Sequence, residues 1–270
     1  MNENPDHLSE EEVAQVLELV KESNAVVVGG QSMALWARHY SEYNPEIAKI
    51  YTMSSEDVDF YGTRRTAEDF AAKLGSAKIY FPDADDHGPN SAQVIGFVGE
   101  RKIRVDFLHS IMGVDHARLE NNVITLTGPR TDNGASLTIA LLHPLDCFRS
   151  RLSNINDLKR SDVHSISTAK ASILVLDALI DDFLSMGWLK EAQDTLHALG
   201  YVTLKRCYGT TAHLKYGIDP LWIFEKYLTD TRLDERWRKH QLAGSLSRLK
   251  RKLTQIEAAK PQKSAGASSP

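Results

Sequence analysis

The sequence predicts an α+β protein, with a mixed β-sheet and helices in the first half of the chain and helices alone in the second. Three observations carry this. Short apolar runs bounded by Gly, Pro and Asn alternate with helical patterns as far as Leu142. Gly99-Glu100 turns the run at 93–98 back into the run at 101–108, which is a hairpin. From His143-Pro144 onward apolar residues recur only at helical spacing, to about Ala259. The expected organisation is a sheet domain over 1–142, a helical domain over 143–259 and a disordered tail over 260–270, where KPQKSAGASSP is poor in apolar residues.

Taken in order, Ser9 with Glu12 is a capping box opening an amphipathic helix over 9–23. Residues 25–28 read as a strand, Gly29-Gly30 as a tight turn, about 32–40 as a helix, and 41–53 as a loop around Pro45. A strand follows at 54–62, then a helix over about 66–74 started by Thr66, with Glu68 and Asp69 in its first turn. Strands at 78–81 and 93–98 flank the acidic loop PDADDHGPN, which lacks the closing glutamate of a calcium loop and suits a solvated hairpin. NVITLTG and SLTIALL are two further strands. The helices expected beyond them cover about 144–158, 165–185, 189–199, 202–215, 221–229 and 234–258.

With 270 residues, 42% of them hydrophobic and 25% charged, the chain is long enough for a real core. A net charge of −4 gives no general attraction to nucleic acid, so any such contact must come from a local patch. Cys147 and Cys207 have neither metal-ligand spacing nor a disulfide framework, which suits a reducing compartment. No signal peptide and no membrane-length apolar run is read, so a cytoplasmic protein without a membrane partner is expected.

The chemistry centres on SSEDVDFYG. Successive strand side chains alternate, so Asp57 and Asp59 share one face while Val58 and Phe60 enter the core. Like charges so close repel unless a cation lies between them. Hard carboxylate oxygens suit Mg²⁺, which takes remaining ligands from phosphates; a solvated turn would also carry such a pair. Gly29 and Gly30 let backbone approach a ligand, and Ser32 stands where a helix start offers N–H and hydroxyl to an anion. Asp106 is a third strand carboxylate, alternating with Val105 and Phe107. His109 is the one histidine near it.

Gly29-Gly30-Gln31-Ser32, then Asp57-Val58-Asp59-Phe60, then Val105-Asp106-Phe107 resemble, in order, the motifs of the polymerase β-like nucleotidyltransferase superfamily. With Ser55 before the acidic pair, the pattern is most similar to the AbiEii-type branch of bacterial toxin nucleotidyltransferases, although Met53 stands where that branch has a basic residue and Lys49 or Arg38 would have to replace it. The resemblance implies a nucleotidyltransferase-like mixed sheet with a catalytic domain over 1–142. It also implies Mg²⁺, in a two-metal site, held by Asp57, Asp59 and Asp106. The nucleoside triphosphate would be bound by Gly29, Gly30, Ser32, Ser55 and Arg151, the last in the position of a family Lys-Leu motif. Arg160-Ser161-Asp162 is similar to a following basic-acid motif, with His164 or Ser165 near a further acid. An RNA (tRNA-like) or protein acceptor and a cognate antitoxin protein are implied as partners. The alternatives are a small-molecule, antibiotic-type enzyme and a non-catalytic nucleotide-binding relative. The basic stretch from Arg232 to Lys252, with Trp237 for stacking, is the candidate RNA contact.

Overall fold

A computed structural model describes residues 8–20, 23–50, 58–83, 85–130, 136–204 and 209–259. Its class is α+β, with a seven-stranded mixed sheet followed by helices alone. The change from sheet to helix falls at residue 143, as expected. The compact units divide later, into 1–179 and 180–270, so the first helix after the sheet belongs to the sheet unit. The expected tail at 260–270 lies outside the described residues.

In the first unit, α1 (Glu10–Val20) opens with the expected reciprocal cap: Ser9 N–H donates to Glu12 Oε2 at 2.7 Å and Glu12 N–H to Ser9 Oγ at 3.3 Å. β1 (Val26–Val27) leads straight into α2 (Gly29–His39), so the glycine pair is the first turn of the helix and not a turn ahead of it. Gly29 permits this because its φ of +64° lies in the left-handed region. The loop expected around Pro45 contains α3 (Pro45–Ile50), with proline at the first helical position and Asn44 Oδ1 accepting from Glu46 N–H at 2.9 Å. After β2 (Val58–Tyr61) comes α4 (Arg64–Leu74), capped by Thr63 and not by Thr66. The two threonine hydroxyls exchange backbone bonds as a capping box, a role the usual Ser/Thr-to-Glu pattern does not flag.

β3 (Lys78–Tyr80), β4 (Asn90–Val98) and β5 (Arg101–Leu108) follow, then α5 (His116–Asn121), too short to show a period in sequence. β6 (Val123–Arg130), β7 (Ser136–Leu142) and α6 (Pro144–Asn156) complete the unit with the first part of α7 (Val163–Ser185). The strand order is β3-β4-β5-β2-β1-β7-β6. β5 runs parallel to β2 and β7 parallel to β1, while the other neighbours are antiparallel. On one face of the sheet Val58, Phe60, Val105 and Phe107 are buried under α4, with the Phe107 ring 5.6 Å from both Phe60 and Phe70.

The second unit contains the end of α7, then α8 (Leu189–Leu204), α9 (Thr211–Tyr216), α10 (Leu221–Leu228), α11 (Glu235–Trp237), a π turn (Arg238–Leu242) and α12 (Ala243–Ala258). α8 continues past the expected end near residue 199, because Gly200 packs within the helix beside Phe224. Leu196, Phe224, Tyr227, Leu249 and Leu253 form its core. α7 is, against expectation, apolar and long enough to cross a membrane, yet 61% of its most apolar window is buried inside the protein, as in the core helix of a soluble domain.

Candidate functional site

The parallel pairing of β2 with β5 sets Asp59 directly opposite Asp106, as Val58 is opposite Val105 and Phe60 opposite Phe107. Alternation then turns both carboxylates to the face away from the phenylalanine core. Asp106 Oδ1 accepts from Gln93 Nε2 at 2.8 Å across the β4–β5 ladder, and Arg104 Nε lies 3.7 Å from Oδ2. A Cβ placed on Gly29 would meet Asp59 Oδ2 at 2.5 Å, so only glycine lets the carboxylate lie against the start of α2. A Cβ on Gly30 would lie 3.6 Å from Arg151 Nη2, which places that guanidinium, carried by α6, beside the same turn. Val28 caps α2 without a side-chain bond, leaving the amide end of the helix to the surroundings of Asp59 and Arg151.

Asp59, Asp106, Gly29, Gly30 and Arg151 are therefore brought together. Asp57, Ser55 and Met53 lie outside the described residues, as does the side chain of Lys49. Among the described residues no three His, Cys, Asp or Glu side chains gather to hold a metal; Asp59 and Asp106 are two of the expected three. Ser32 lies within the helix and not at its start, where it was expected. It is fully buried, its N–H bonds to the Val28 carbonyl at 3.2 Å, and its hydroxyl lies 3.5 Å from both Leu142 O and Cys147 Sγ. With the helix starting at Gly29, Ser32 has moved one turn into the core. Arg38, in the last turn of α2, pairs with Glu10 at 3.0 Å. Asp162 caps α7, accepting from Ser165 N–H and Oγ at 2.9 and 2.7 Å, bonds that hold its carboxyl below the usual range. His109 Nε2 lies 3.2 Å from the Gly88 carbonyl and stays with the hairpin loop.

Two groups beside the site carry no sequence signal of their kind. Tyr61, next outward-facing residue after Asp59, places its hydroxyl 2.9 Å from His116 Nδ1, whose Nε2 is 3.3 Å from Glu120 Oε1. Burial and the Glu120 charge raise the phenol above its ordinary value. The second group is Asp146, fully buried in the first turn of α6, which accepts from Arg118 Nε at 2.8 Å, Arg149 Nη1 at 3.3 Å and Asn122 Nδ2 at 2.6 Å. His143 caps that helix through Nδ1, and burial lowers its imidazole to about 4. The Cys147 thiol, sealed one turn on, is raised to about 12 by burial, which makes it inert. Spacing of i, i+3 and i+4 around a proline-led helix is the one trace of this cluster in the sequence.

The basic C-terminal stretch is largely committed to structure. Arg232 bridges Asp181 and Asp230, Lys239 pairs with Glu235, and Lys250 pairs with Glu225 at 2.6 Å. Arg238 donates to the Leu228 and Leu233 carbonyls, and Lys252 to the Leu204 carbonyl.

No family model matches the chain, nor does any curated protein or solved structure.

Proposed function

We propose that the chain is a metal-dependent, toxin-like nucleotidyltransferase that moves a nucleoside monophosphate from a triphosphate onto a hydroxyl of an RNA or protein acceptor, releasing pyrophosphate. One observation carries the reading: two carboxylates opposed on parallel strands face a glycine-opened helix start that also holds an arginine. The donor set fits Mg²⁺, since Asp59 and Asp106 offer hard oxygens side by side and Gly29 leaves Asp59 room; with Asp57 they would hold it. Bound there, the metal supplies positive charge to the phosphates and to the departing pyrophosphate.

The chain's own groups do the rest. The first-turn amides at Gly29 and Gly30 receive phosphate oxygens, and Arg151 forks two donors onto them. Asp106 takes the proton of the attacking hydroxyl as its oxygen bonds the α-phosphorus. The cytoplasm is the expected compartment, and a separately encoded antitoxin protein the expected regulator. A non-catalytic nucleotide-binding relative is the second reading, favoured by the Gln93 amide that already occupies Asp106 Oδ1.

The test is incubation of the purified chain with each α-labelled triphosphate, Mg²⁺ and total cellular RNA. Label on RNA or protein is the expected result, and Asp59→Asn with Asp106→Asn should lower it by about 10³-fold or more. Label on a small molecule alone assigns the antibiotic-type chemistry. Triphosphate binding without transfer to any fraction assigns the second reading.

A further inference from the structure

The second unit encloses a cavity of about 320 Å³ whose walls come from α8, α10, the π turn and α12. Its floor is apolar, built from Leu196, Leu204, Phe224, Leu242 and Leu249. Trp237 and Tyr201 join Phe224 as its aromatic lining, and Tyr201 is 65% exposed. Its polar side groups are His197, His240, Gln241, Ser245 and Arg248, and no aspartate or glutamate is among the described residues lining it. Arg248 is held in place, with Nη2 donating to Ser245 Oγ at 2.9 Å and Nη1 lying 3.7 Å from where a Gly244 Cβ would stand. Among the described residues no acid pairs with Arg248, His197 or His240, in contrast to the neighbouring Lys239 and Lys250. His240 and Gln241 belong to the π turn and Trp237 directly precedes it, a local distortion of the kind found where helices build binding sites.

We infer that this cavity binds a nucleoside phosphate, with the base against Trp237 and Tyr201 and the phosphate met by Arg248 and the two imidazoles. A flat ring suits the aromatic and leucine surfaces; an anion suits a rim of donors without carboxylates. The volume is at the small end of ligand pockets and matches one nucleotide unit. Such a unit comes free or as part of single-stranded RNA. The inference stands apart from the transferase reading, since none of its residues belongs to the Asp59–Arg151 site.

The test is calorimetric titration of the full-length chain, without divalent metal, with AMP and separately with a short single-stranded oligoadenylate. Binding of either is expected, and the one that binds more tightly identifies the source. Trp237→Ala, Tyr201→Ala and Arg248→Gln should each weaken it about tenfold, while Lys190→Gln, an exposed change on α8 outside the cavity, leaves it unchanged. Tyr201 and Arg248 are exposed, so these two variants keep the test meaningful should Trp237→Ala fail to fold. Absence of binding by both probes at millimolar concentration overturns the inference. So does binding indifferent to Tyr201→Ala and Arg248→Gln, or displacement of AMP by inorganic phosphate at equal concentration.

Discussion

The two faces of the β2–β5 pair differ as sharply as any two regions of the molecule. One presents Val58, Phe60, Val105 and Phe107, all fully buried, with the two phenylalanine rings against Phe70 of α4. The other presents Asp59, Tyr61, Arg104 and Asp106, partly open to solvent, with Asp59 and Asp106 opposed in register. The first face gains from every contact it makes, at about 25 cal/mol per Å² of apolar surface removed from water. The second sets two carboxylates a strand's width apart, with the Gln93 amide and the Arg104 guanidinium against Asp106. The proposed site rests on the open side of a ladder whose other side is packed tightly.

Substitution separates the faces. Phe60→Ala should lower unfolding free energy by about 3–5 kcal/mol, because it removes a buried ring and leaves a cavity beneath α4. Asp106→Asn, on the opposite face of the neighbouring strand, should shift it by less than about 1 kcal/mol, since the amide oxygen still accepts from Gln93. Chemical denaturation of both variants checks the contrast; equal losses would remove the distinction between the faces.

A titration gives the next effect. His143 is buried and neutral, its folded value of about 4 lying below the ordinary 6.5, so the unfolded chain binds its proton first. Its contribution is complete above pH 6.5 and is lost as pH falls toward 4, at most about 3 kcal/mol over that window. His143→Asn keeps a capping acceptor and should flatten this part of the melting-temperature profile. A smaller effect than that of Phe60→Ala belongs to Gly29→Ala, which places a side chain at φ +64° and against Asp59 Oδ2. It should cost about 1–2 kcal/mol of stability and move Asp59, so nucleotide affinity should fall more than melting temperature suggests.

Much of this was legible in the sequence, and the limits have physical causes. Strict alternation in VDFY and in RKIRVDFL marked both strands and assigned each residue its face, because a strand's period is two. The register that opposes Asp59 to Asp106 was expected only as proximity, since pairing between parallel strands is a non-local choice. Ser32 was misplaced because a helix opened by a left-handed glycine begins before its pattern suggests. Arg151 reached the turn as expected from the resemblance, whereas Asp146 and His116 find their partners through folding rather than spacing. In the basic C-terminal run, one-dimensional charge did not reveal which carbonyls and carboxylates Arg238, Lys250 and Lys252 meet.

β2 and β5 are neighbours in space, yet α4, β3 and β4 separate them along the chain. A polypeptide severed in the connection between β3 and β4 would leave one acid on each fragment. Neither piece alone would own a pair of opposed carboxylates, and the ladder would exist only after the fragments had annealed. Any signal that depends on both acids would then report reassembly of two inert halves, which makes this crossover a natural seam for a split-protein sensor.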